Sequence, residues 1–97
     1  YAIEIPMETA EKCFRVMQLS EKLVENGNPN SVSDAGVAAE VAHAGLRGAG
    51  MNVMINLSGL KDSSYGKDIQ NKVNKLINKA EVLHKTIFNK TFSIIKS

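Results

Sequence analysis

Ninety-seven residues, 43% of them hydrophobic and 23% charged, suffice for one small domain and argue against a disordered chain. The formal charge of +2 is small but uneven: residues 1–60 carry four Lys/Arg and seven Asp/Glu, residues 61–97 eight lysines and three acids. A single cysteine, Cys13, excludes an internal disulfide, and with no signal-peptide pattern the expected compartment is the cytoplasm.

The first segment reads as a helix over about 6–26. Pro6 suits a first helical position, where its missing N–H needs no partner. Ala10, Cys13, Phe14, Met17 and Val24 recur at helical spacing, and Val16, Leu19 and Leu23 widen the stripe. Gly27 can end the helix in a left-handed conformation, and Pro29 blocks its continuation. "GNPNSVSD" is then a tight connector. Ser31 with Asp34 resembles a capping box, Ser33 is the competing cap, and a second helix over about 32–57 is predicted.

That helix is small and apolar on almost every side. Its polar exceptions are a strip of Glu40, His43 and Arg47, and a pair of amides, Asn52 and Asn56. Glycines at 36, 45, 48 and 50 weaken a helix but let another backbone come close. "SGLKDSS" makes the second connector, with Asp62 or a following serine capping a third helix over about 62–95, its first turns weakened by Gly66. Ile69, Val73, Leu76, Ala80, Leu83 and Ile87 give that helix a heptad seam, interrupted by Lys90 before Ile94.

The predicted fold is all-α: three long antiparallel helices joined by short links. A helix apolar all round must be buried all round, and two companions with one stripe each cannot enclose it. The three helices are therefore expected to form part of a larger helical bundle, completed by a partner subunit or by further chain. A membrane span is rejected, because Glu40, His43 and Arg47 interrupt the apolar run. The lysines of the third helix lack interleaved aromatics, so nucleic acid is not an expected partner.

"GNPNSVSDAGVAA" and "LRGAGMNVMINLSGLKD", with the opening "IPMETAEKC", resemble the C-terminal half of the formiminotetrahydrofolate cyclodeaminase and methenyltetrahydrofolate cyclohydrolase family. The resemblance implies a helical, usually dimeric enzyme of one-carbon folate metabolism. Its members close 5-formiminotetrahydrofolate to the 5,10-methenyl form with release of ammonia, or hydrolyse the methenyl ring. A tetrahydrofolate derivative is the substrate, and no metal or other cofactor is implied. Family domains are about twice this long. Their N-terminal half carries a glycine-rich S-P-T-P-G-G-G segment and an acidic D-A-D-x-x-A motif, neither of which occurs here. The principal acid or base is thus expected outside this chain.

Within the chain, Asp34 is the candidate catalytic group, placed to face a cleft at a helix start; satisfying backbone N–H groups there is its competing role. Asn28, Asn30 and Ser33 are candidate substrate contacts, although turn and cap chemistry accounts for them. Asn52 and Asn56 are expected to be buried amides that hold a pterin ring or water, or that tie down the following loop. Lys61 is a candidate for a folate carboxylate. His43 fits a polar interface strip better than catalysis, His84 merely flanks the seam, and Cys13 is a small core residue without an activating base. The alternative function is a non-enzymatic helical oligomerisation module.

Overall fold

In the computed structural model, which describes residues 2–60 and 62–97, the heptad spacing is expressed as three helices: α1 (Glu4–Glu25), α2 (Pro29–Asn56) and α3 (Ser64–Lys96). A helix of the length of α3 spans about 50 Å. The long axis of the molecule is 51 Å and the other two are 19 and 15 Å, so α1 and α2 lie back along α3. All three pairs of helices touch, α1 with α2 most extensively. The fold is all-α, with no strand among the described residues.

The helix starts differ from the sequence expectation. α1 begins at Glu4 behind Ile3, without a side-chain cap. Pro6 is its third residue, still within the first turn, where a missing N–H costs no helical bond. Gly27 takes φ 70 and turns the chain, its N–H donating to the Val24 carbonyl at 3.0 Å. Pro29 then opens α2 as well as closing α1. Asn28 is the cap, its Oδ1 accepting from the Asn30 N–H at 3.0 Å, so Ser31, Ser33 and Asp34 lie inside the helix. The carboxamide reaches the free N–H of the first turn and the Pro29 ring fixes the helical φ, which together outcompete the serines.

At the second connector the cap is Ser63. Its Oγ accepts from the Gly66 N–H at 2.9 Å and donates to the Leu60 carbonyl at 2.7 Å. A Cβ on Gly66 would run into that same carbonyl. The glycine that weakens the first turns of α3 is therefore what lets the connector close over them.

The core follows a seven-residue beat through two adjoining clusters, the smaller built on Ile3, Val53, Leu57 and Val73. Ala10, Met17 and Val24 line it from α1, with Ile3 just ahead of that helix, and Val73, Ala80 and Ile87 from α3. From α2 come Val32, Ala35, Ala39, Ala42, Leu46, Ala49 and Val53, in alternating steps of three and four. Alanine dominates because α2 is the middle rod and both neighbours must approach it. Val16, Leu19 and Leu23, expected to widen the α1 stripe, stay exposed. Ile69, Leu76 and Leu83 of the α3 seam are half-buried.

The outward side of α2 is uncovered. Val37, Val41, Met51 and Ile55 are 61%, 68%, 70% and 69% exposed. With Ala44 and Gly48 between them they form a second stripe in steps of four and three. Two helices thus leave one apolar side of the third open, as the pattern requires. Among the described residues no helix is long and apolar enough to cross a membrane.

Candidate functional site

A groove of about 460 Å³ runs where the start of α1 meets the second half of α2. Ile5 and Pro6 form one wall; Gly45, Gly48, Asn52 and Asn56 form the other. Nothing lies within 4 Å of where a Gly48 Cβ would stand, so that glycine leaves the groove floor open. Asn52 and Asn56 share one face four residues apart, and both are exposed rather than buried. The Asn56 Nδ2 donates to the Asn52 backbone carbonyl at 2.8 Å. This bond orients the Asn56 amide and leaves its oxygen as an acceptor.

The remaining sequence-predicted residues lie elsewhere. Asn28 is consumed by capping, and Asn30 and Asp34 are exposed at the start of α2. Ser33 borders a second groove of about 400 Å³ between α2 and α3, walled by Gly36, Val37, Phe88, Phe92 and Ile95. From Asp34 to Asn52 is about 27 Å of helix. One copy of the chain therefore gathers Asn52 and Asn56 but does not bring Asp34, Asn28, Asn30 or Ser33 to them. Lys61 lies outside the described residues.

A polar cluster that the sequence left in pieces joins α2 to α3. Arg47 donates from Nε and Nη2 to the two carboxylate oxygens of Glu81, both at 2.7 Å. Those bonds hold the Glu81 carboxyl at about 2, and they raise the Arg47 guanidinium further. His43, 3% exposed, brings Nε2 to 3.3 Å from Glu81 Oε1, near enough for charge attraction but not aligned as a hydrogen bond. Burial lowers its pKa, the positive charges of His84 and Arg47 lower it further, and Glu81 opposes both. His84 stacks on His43 with ring centres 4.4 Å apart and places Nε2 2.8 and 2.9 Å from the Glu40 oxygens. The signal was available: Glu40, His43 and Arg47 on α2 face Glu81 and His84 on α3 with complementary charge. The partner of each could be named only once the two helices were in register.

The sequence matches the family model described as Formiminotransferase-cyclodeaminase over residues 1–75. The chain belongs to the formiminotransferase-cyclodeaminase family. The match takes in α1, α2 and the first turns of α3, and so includes the whole Asn52–Asn56 groove. Methenyltetrahydrofolate cyclohydrolase of Methylorubrum extorquens is 37% identical over 87 residues, covering 90% of this chain and 42% of that protein. Formimidoyltransferase-cyclodeaminases of Rattus norvegicus and Gallus gallus are 29% and 31% identical over 80 residues, 82% of this chain and 15% of each of theirs. The chain thus spans less than half the length of these relatives. Family membership agrees with the resemblance carried by "GNPNSVSDAGVAA" and N-x-x-x-N-L.

Proposed function

We propose that this chain supplies part of the folate site of a one-carbon enzyme acting on 5,10-methenyltetrahydrofolate, with hydrolysis favoured over ammonia release. The likeness to a cyclohydrolase across 90% of the chain carries this reading. In hydrolysis a water oxygen bonds to the methenyl carbon as its proton leaves to a base. The hydroxyl on that carbon then gives up its proton as the C=O forms, the bond from the carbon to N5 breaks, N5 takes a proton, and the formyl group stays on N10. In cyclodeamination N10 attacks the formimino carbon, loses its proton, and ammonia departs with a proton from an acid. Both reactions pass through a tetrahedral carbon between N5 and N10. One helical frame that holds the ring system flat therefore serves either, and the surrounding acid and base decide the outcome.

Asn52 and Asn56 hold the polar edge of the ring in this reading, and Lys61 meets a folate carboxylate. Asp34 acts as an acid or base only in a site that a second copy or further chain completes, because it stands a long way from the two amides. The outward α2 stripe is where that completing part packs, in a homodimer or a higher homo-oligomer. The tetrahydrofolate derivative is the substrate, no metal or redox cofactor takes part, and the enzyme works in the cytoplasm.

The test follows the methenyl chromophore and ammonia release with both substrates. It uses the 97-residue chain and the longest protein that contains it. Turnover by the longer protein is expected, with Asn52→Leu and Asn56→Leu each weakening binding about 3- to 10-fold for one lost hydrogen bond. Unchanged turnover in Asp34→Asn removes Asp34 from the mechanism. A longer protein that neither binds nor converts either folate sinks the proposal and leaves the oligomerisation module.

A further inference from the structure

The cluster between α2 and α3 has no part in the folate reading above, yet it is the most highly organised polar feature of the chain. Its charges can be counted. Glu40 and Glu81 bring two negative charges and Arg47 one positive, so the fixed charge is −1. One proton on the two imidazoles makes the cluster neutral. A second proton leaves it at +1, with two positive rings stacked 4.4 Å apart and one of them, His43, 3% exposed.

The two rings are not equally partnered. His84 lies against both Glu40 oxygens, at 2.8 and 2.9 Å, a contact that ties α3 to α2. His43 has a poorer partner, because Glu81 spends both oxygens on Arg47 and meets His43 only at 3.3 Å. Its own helix offers Glu40 and Arg47; α3 offers Glu81 and His84, with Lys85 exposed next in the chain. From α1 the shared core brings Ala10, Cys13, Phe14 and Met17, none of which carries a compensating charge. A cation at His43 would therefore be buried, repelled by its stacked neighbour and by Arg47, and only weakly paired.

We propose that His43 stays unprotonated while the helices are packed, and that a proton on it releases α3 from α2, making this an acid-sensitive clasp. Burial and the neighbouring positive charges depress the His43 pKa, in keeping with this. The sign follows. An unfolded histidine takes its proton near pH 6.5, the packed one only at lower pH, so helix pairing is intact above about 6.5 and weakens below it. The window lies well above that of the Glu81 carboxyl, whose own contribution fades only below its ordinary 4.5. The two effects are therefore separable.

The experiment is a proton NMR titration of the imidazole signals, assigned by subtraction with His43→Phe and His84→Phe, which keep a ring in the stack. It is joined to amide hydrogen exchange of α3, corrected for the intrinsic rate, from about pH 7.5 to 5.5. The His43 signal is expected to titrate below 6.5 and to move up in His84→Phe, since a stacked cation has been removed. The opening constant of α3 should grow by up to about tenfold in all between pH 7.5 and 5.5, most of it below 6.5, and should stay flat in His43→Phe. A His43 signal that titrates at or above 6.5, or exchange equally flat in the wild type, overturns the proposal. Should His43→Phe fail to fold, the wild-type midpoint and its shift in His84→Phe decide alone.

Discussion

Replacing glycine by alanine at two positions of α2 should change stability in opposite directions, although both lie inside the same helix. Alanine gains about 0.8–1.0 kcal/mol over glycine in a helix interior, because the unfolded chain loses freedom and the helix does not. At Gly48 the new Cβ meets nothing within 4 Å, so Gly48→Ala should keep that gain. At Gly36 it would stand 2.8 Å from Thr91 Cγ2 and 3.2 Å from Thr91 Oγ1. Thr91 is 6% exposed and β-branched, so it has little room to turn aside. Overpacking costs about 1–3 kcal/mol, which leaves Gly36→Ala near neutral at best and about 2 kcal/mol down at worst. For a chain of this size each kcal/mol moves the midpoint by roughly 4–8 °C. Helix ellipticity followed through a thermal melt should therefore show Gly48→Ala several degrees above the wild type and Gly36→Ala at or below it. Gly48→Ala also fills the floor of the Asn52–Asn56 groove, so if that groove holds the ring as proposed, folate affinity should fall while melting temperature rises. A destabilised Gly48→Ala, or a stabilised Gly36→Ala, would refute the assignment of open space at one and close packing at the other.

Three further outcomes can be checked with the same melts. Asn28→Ala removes the only side-chain acceptor at the start of α2 among the described residues and should cost about 0.5–2 kcal/mol, with Asn28→Ser nearly harmless. Leu46→Ala empties a fully buried position where both neighbouring helices meet α2; the expected loss is about 2–5 kcal/mol, a large share of the roughly 5–15 kcal/mol that holds a small domain together. Glu81 carries a carboxyl held at about 2, against an ordinary 4.5, by its bonds to Arg47. The folded chain therefore keeps this contribution above pH 4.5 and loses it as the pH falls toward 2, whereas Glu81→Gln should melt at a temperature that changes less across that window.

The sequence was most informative where one residue type can do only one job. Gly27 had to turn the chain, and it holds the one positive φ among the described residues. Cap choice was less legible. Asn28, Ser31, Ser33 and Asp34 are all competent caps, and the winner was set by which carboxamide met the free N–H beside Pro29. The candidate site was legible only in part. The spacing of Asn52 and Asn56 put them on one face, but their exposure depended on where α1 ends up, and the groove exists because Ile5 and Pro6 stand opposite Gly45 and Gly48.

By itself, then, the order of residues determined three helices, a seam with a seven-residue beat, and an apolar side of α2 that two neighbours leave bare. Those follow from local periodicity, which is a property of the chain before it folds. Only the tertiary structure decided that Glu81 belongs to Arg47 and Glu40 to His84, and that the amide pair and Asp34 stand at opposite ends of one rod. Pairing across helices depends on axial register, and register is fixed by the collective packing of Leu46, Met17, Ala80 and their neighbours rather than by any single residue.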